Sequence, residues 1–184
     1  MKKIVSICVL LALFSCGQQQ SSVQGEQASS DVPDGGQSTV ADNVSSPNVV
    51  QVAVGSADHS TLVAAIKAGE LVDALSNAGP FTVFAPTNDA FNRLPAGTVD
   101  NLLKPENKGQ LQDILQYHVY VGVISETMIQ DGMKLNEVNG GDVVLNKKDG
   151  KITVNGANVL GIIKASNGVI YSIDAVLLPP APAK

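Results

Sequence analysis

Few side chains in this 184-residue chain are equipped for chemistry: two histidines, His59 and His118, two cysteines, Cys8 and Cys16, and seventeen carboxylates. His118 follows Tyr117 and continues the helical spacing of Leu111, Ile114 and Leu115, which places its imidazole on an apolar helix face at a helix-to-strand junction. Such a ring could bind a partner or hold a proton, but a lone histidine on an apolar face is more often a buried ring bonded to backbone, and that is the role expected here. Asp174 stands in the apolar run Val169 to Leu178. A carboxylate there is costly unless hydrogen-bonded, so it is expected to tie the sheet to a neighbouring loop rather than to act as a catalytic acid. Asp58-His59-Ser60 has the composition of a hydrolase triad, but consecutive residues point in different directions and form no relay. The chain has no Gly-x-Ser-x-Gly, phosphate-loop or His-Glu-x-x-His motif. Asn146-Lys147-Lys148-Asp149-Gly150 lacks the acid spacing of a calcium loop. No catalytic residue, metal or cofactor is expected.

Cys16 has a different chemistry. Met1-Lys2-Lys3 and the apolar run from Ile4 to Phe14 form the charged and hydrophobic parts of an export signal. Eleven helical residues reach only about 16 Å, too short to span a bilayer. Leu13-Phe14-Ser15-Cys16 resembles the bacterial lipobox, which implies cleavage after residue 15 and acylation of Cys16. Each buried acyl methylene then contributes about 0.8 kcal/mol to anchoring. With Cys8 removed and Cys16 acylated, no thiol remains for a disulfide, a metal or a nucleophile. Gly17 in place of aspartate after the cysteine favours outer-membrane delivery by resemblance to the enteric sorting rule.

Residues 17–47 hold six Gln, seven Ser and four Gly, with no aromatic, Leu or Ile, and read as a disordered tether able to span roughly 30 Å on average. Residues 48–180 form one domain of ordinary size, followed by the tail 181–184. Acids outnumber bases and no basic block exists, which argues against nucleic acid as a partner. Apolar residues at helical spacing predict short helices around Leu62–Ile66, Leu71–Leu75, Ala90–Leu94, Leu102–Leu103 (capped by Thr98) and Leu111–Leu115. Phe81 to Ala85 predicts a buried strand stopped by Pro86, and Val143 to Val154 a hairpin about Asp149-Gly150. Val169 to Leu178 predicts the central strand. Asn139-Gly140, Asn155-Gly156 and Asn167-Gly168 are further turn signals, and the order of helices before strands indicates an α+β fold.

Three segments, in order and correctly spaced, resemble the fasciclin domain. Phe81-Thr82-Val83-Phe84-Ala85-Pro86-Thr87-Asn88-Asp89-Ala90-Phe91 is similar to its first signature, Leu115-Gln116-Tyr117-His118-Val119 to its central Tyr-His motif, and Asn167-Gly168-Val169-Ile170-Tyr171-Ser172-Ile173-Asp174-Ala175-Val176-Leu177-Leu178-Pro179 to its second. The resemblance implies a β-wedge, a compact sheet of about seven strands with short helices packed on one side. It marks Phe81, Thr82, Phe84, Ala85, Pro86, Thr87, Asn88, Phe91, Asn167, Gly168 and Asp174 as fold-signature residues, and Tyr117-His118 as an adhesion or structural motif. A second adhesion tag of animal relatives, Asn-Lys-Asp-Ile-Leu, corresponds to Leu160-Gly161-Ile162-Ile163-Lys164, where only Ile163 agrees, so integrin-type recognition does not carry over. The function implied is that of a surface-tethered, non-catalytic lipoprotein. It would adhere to a cell-surface or matrix protein or to polysaccharide, and be held to the membrane by its lipid. The alternatives are an envelope carrier of a small molecule or glycan fragment, marked by a deep apolar pocket, and a hydrolase with paired carboxylates in a cleft.

Overall fold

The structure is a computed structural model that describes residues 46–180. The export signal, Cys16, nearly all of the tether and the tail lie outside the described residues. Six α-helices precede or interrupt seven strands: α1 Val49–Gly55, α2 Ser60–Ala68, α3 Val72–Ser76, β1 Phe81–Pro86, α4 Asn88–Asn92, α5 Thr98–Leu102, α6 Lys108–Gln116, β2 Val119–Val121, β3 Met133–Asn136, β4 Asp142–Lys148, β5 Lys151–Val154, β6 Ala157–Ala165 and β7 Gly168–Ile173. The strands form one sheet in the order β2-β1-β7-β6-β5-β4-β3, all antiparallel except the β1–β7 pair.

Strand alternation divides the interior into two cores. Val83 and Ala85 of β1, with Ile170 of β7, pack against α1, α2 and α6 through Val49, Leu62, Ile66, Leu111 and Leu115. Phe84 and Tyr171 face the other way, with ring centroids 5.8 Å apart, into a core closed by Leu135, Val143, Leu145, Ile152 and Val154 of β3–β5. The sheet therefore curls its later strands over one face of β1 and β7 while the helices cover the other. This is the expected seven-stranded α+β wedge.

Local chemistry sets the element ends. Asn48 and Gln51 form a reciprocal capping box that starts α1, a helix that the apolar spacing did not single out. The α2 amino end is capped from outside: Asn88 Oδ1 accepts from Thr61 N at 3.0 Å while Asn88 Nδ2 donates to the Ala57 carbonyl. At α5 the cap residue is Gly97, at φ 80°, and Thr98 is the first helical residue instead of the expected cap. The predicted strand Val169–Leu178 is also shorter than expected. β7 ends at Ile173 because β1, its parallel neighbour, ends at Pro86, and the paired ladder stops there.

Gly168 faces Phe81 across the parallel pair, where an added Cβ would collide with the Phe81 carbonyl carbon and oxygen. Backbone against backbone has no flexible end to yield. Gly168→Ala is therefore expected to cost about 3 kcal/mol or to abolish folding. Urea unfolding of the variant beside the parent measures this, and a loss below about 1 kcal/mol would contradict the close approach.

Candidate functional site

The three signature segments meet at one junction. α6 ends at Gln116, and the chain turns through Tyr117 and His118 into β2. The His118 carbonyl accepts from Phe84 N at 2.8 Å, joining the central motif to the first signature. The ring joins it to the second, at Leu177. Leu177 N donates to His118 Nε2 at 3.0 Å, which leaves the single ring proton on Nδ1, donated to the Ile114 carbonyl at 2.8 Å. The ring is 3% exposed. Both nitrogens are spent, and a second proton would set N–H against N–H at Leu177. Burial holds the His118 pKa down to about 4, against the smaller raising effect of the Ile114 carbonyl. Tyr117 is equally committed: its hydroxyl donates to the Asp142 carbonyl at 2.8 Å and accepts from Asn155 Nδ2 at 3.0 Å.

The other signature residues make comparable ties. Thr82 Oγ1 donates to the Gly122 carbonyl at 2.7 Å and accepts from Ile124 N, fixing the segment after β2. Phe81 and Phe91 pack on the helical core, and Phe84, Ala85 and Pro86 are buried in β1. Thr87 caps α4 through Ala90 N, and its own amide donates to the Ile173 carbonyl. Asn167 ties down two segments, the start of α1 and the end of α3, through three bonds. Its Oδ1 accepts from Val49 N at 2.9 Å, and its Nδ2 donates to the Leu75 and Asn77 carbonyls at 2.8 and 2.9 Å. Asp174 lies just past β7 and is half-buried. Its two carboxylate oxygens accept from Asn158 N and Nδ2, and Arg93 approaches Oδ2 at 3.6 Å. The Asn158 side-chain bond, assisted by Arg93, holds Asp174 below the usual carboxylate range.

Two features were not expected from the residues alone. His59, set aside with its sequence neighbours, is buried and lies between two hydroxyls, with Nδ1 2.8 Å from Ser56 Oγ and Nε2 3.1 Å from Ser172 Oγ. Ser172 is buried within β7 and no carboxylate supports the ring, so this array joins α2 to the sheet instead of activating a nucleophile. Burial lowers the His59 pKa, opposed by the charge of Asp58. Glu137, just beyond β3, is 2% exposed, and both its carboxylate oxygens are buried without a partner. Burial pushes its pKa up to about 8. An alternating polar pattern gave no sign that this acid points inward.

An apolar face lies open at β6. β6 pairs with β5 only through Ala157 and Asn158, so from Val159 onward its outer edge has no strand partner among the described residues. Leu160, Ile162 and Ile163 on this stretch are 61%, 37% and 39% exposed. Beside it opens a groove of about 930 Å³, floored by Ile162, Lys164, Val169 and Tyr171 and walled by Val123 and Pro80. Tyr171 holds the wall in place by donating to the Ile124 carbonyl at 2.7 Å.

Two pH dependences follow. The folded state binds no proton at His118 until about pH 4, whereas the unfolded chain binds one below about 6.5. Stability is therefore full above pH 6.5 and falls as pH drops towards 4, by on the order of 3 kcal/mol from this ring. His118→Gln is expected to be less stable at pH 7 and to lose much of that acid dependence, leaving the share due to His59. An unchanged slope would refute the assignment. Glu137 has the opposite sign: the folded state keeps a proton that the unfolded chain releases above about 4.5, so stability falls as pH rises from 4.5 to about 8. Glu137→Gln is expected to be the more stable protein at pH 8.5, on the order of 3 kcal/mol, with the advantage shrinking towards pH 5. Urea titrations across pH test both.

The fasciclin domain family model matches residues 57–179. "Protein sll1483" of Synechocystis is 54% identical over 137 residues, which are 74% of this chain and 76% of that protein. "Cell surface glycolipoprotein MPB83" of Mycobacterium bovis is 45% identical over 112 residues, 60% of this chain and 49% of that one. In fold, the chain is similar to the FAS1 domain pair of the insect cell adhesion molecule fasciclin I, with a TM-score of 0.64 at 18% identity, covering 72% of this chain and 51% of the pair. The junction where three signatures converge, the seven-stranded wedge and the match over most of the described residues agree: the chain belongs to the fasciclin domain family.

Proposed function

We propose that this protein is a non-catalytic adhesion module, anchored through acylated Cys16 and displayed on its tether at the cell envelope, with residues 48–180 as the adhesive domain. The observation that carries the reading is the open face at β6. An unpaired strand edge offers backbone donors and acceptors, and the adjoining groove offers apolar contact within a polar rim. A matrix or surface protein, or a polysaccharide, would engage there. The signature residues are the frame that presents this face: with both imidazole nitrogens and the phenol hydroxyl hydrogen-bonded, Tyr117 and His118 position the junction without touching the partner. The relative MPB83, a cell-surface glycolipoprotein by name, supports an envelope location, and the fasciclin I adhesion molecule supports the adhesive role. The outer membrane is the compartment that Gly17 favours.

The chain from Gly17 onward, coupled to beads, is expected to bind source cells, their matrix or their extracted polysaccharide saturably, and to lose this on heat denaturation. Leu160→Asp with Ile162→Asp, both at exposed positions, is expected to weaken binding at least about tenfold with little change in melting temperature. Full binding by that variant would move the contact elsewhere. Absence of binding to every fraction would favour the carrier reading. Cys16→Ser is expected to release the protein from membranes into the soluble fraction.

A further inference from the structure

A second cavity, of about 430 Å³, lies among α1, α2 and α3, away from the residues of the β6 groove. Its lining is almost wholly aliphatic: Val50 and Val54 of α1, Val63 and Ile66 of α2, and Val72 of α3. Val54 is 57% exposed, at the mouth of this lining. Three polar side chains interrupt the lining, of which Gln51 is engaged in the α1 capping box and two others bear on a ligand. Ser76, the last residue of α3, is 5% exposed, and its Oγ is buried with no hydrogen-bond partner. A buried hydroxyl left unpaired in an aliphatic cavity is an uncompensated cost to the protein alone, and native structures rarely keep one without cause. The second feature is Lys67 in the last turn of α2, solvent-exposed, with no salt bridge among the described residues, and the only charged side chain on the lining.

We infer that the α1–α3 cavity binds a single-chain amphiphile with a carboxylate head and a hydrogen-bonding group, such as a hydroxyl, on its chain. The aliphatic body lies along the valines and Ile66. The carboxylate sits at Lys67, the one charge available, and the chain hydroxyl meets the Ser76 Oγ that the protein leaves unpaired. The volume falls within the range of small-molecule sites. A second copy or another protein segment would cover Val54 without reaching Ser76, and a neutral chain would leave Lys67 unused. The inference stands on its own residues and does not depend on the adhesive reading.

The test uses the chain from Gly17 onward with four probes below their micellar concentrations: laurate, two hydroxydodecanoates carrying the hydroxyl at either end of the chain, and dodecanol. Calorimetry is expected to show saturable one-to-one binding of laurate and a rise in melting temperature with ligand. Dodecanol is expected to bind at least about tenfold more weakly, and Lys67→Glu to remove that difference. One hydroxydodecanoate is expected to bind about fivefold or more tighter than laurate, a preference that Ser76→Ala abolishes while laurate binding stays. Val54→Asp, at an exposed position, is expected to weaken all four probes with the fold intact. No saturable binding of any probe would overturn the proposal, as would binding indifferent to Val54→Asp and Lys67→Glu, or association with anionic vesicles only. Equal affinity for laurate and both hydroxy acids would overturn the role given to Ser76.

Discussion

The parallel pairing of β1 with β7 is the constraint on which the rest of the molecule depends. It joins segments far apart in sequence, in register from Phe81 opposite Gly168 to Pro86 opposite Ile173. Closing so long a loop costs entropy before any contact returns it, so this pair must be held by more than its own ladder. The holding groups are particular residues: a glycine that lets the backbones approach, Thr87 donating its amide to Ile173, and Asn167 reaching residues up to 118 positions away. Each core forms on one face of this pair. Phe84 and Tyr171 start the sheet-side core, and Val83, Ala85 and Ile170 receive the helices.

Seen from that pair, the parts of the fold legible in the sequence are those with local causes. Helical spacing located α2, α3, α4 and α6, and Asp149-Gly150 and Asn155-Gly156 marked hairpin turns in which both residues take positive φ, at 51° and 76° and at 47° and 88°. Asn167-Gly168 has the same letters for a different reason. Neither residue adopts positive φ; the asparagine is needed for its three side-chain bonds and the glycine for its missing Cβ. The sequence cannot separate these cases because the difference lies in what the tertiary structure brings alongside. α1 escaped notice because its start is set by a capping box and not by an apolar stripe, and β7 stops early because its neighbour does.

The candidate site was less legible for a related reason. Residue type shows what a side chain could do, while burial and partners decide what it does. His59 looked like a fragment of triad chemistry and is a strut between Ser56 and Ser172. Glu137 is an acid of no distinguishing motif, yet both its carboxylate oxygens are buried without a partner. His118 was placed on an apolar face by spacing, but only the Leu177 amide fixes its tautomer, and Leu177 is 59 residues away. The open face at β6 depends on pairing and not on residue type: Leu160, Ile162 and Ile163 lie beyond the last residue of β6 that pairs with β5.

These facts argue for a division of labour. A catalytic centre needs a titratable group with a free lone pair or proton aimed at solvent-accessible space. Among the described residues both imidazoles are buried and fully bonded, Asp174 is held ionised by Asn158 and Arg93, and the one buried carboxylate without a partner, Glu137, is sealed inside. The residues that define the family are thereby consumed in holding the frame rigid. What remains free to vary is the surface, where an unpaired edge and a groove demand little of sequence beyond apolarity and strand propensity. A frame with fixed internal bonds and a permissive outer edge can change partner without changing fold.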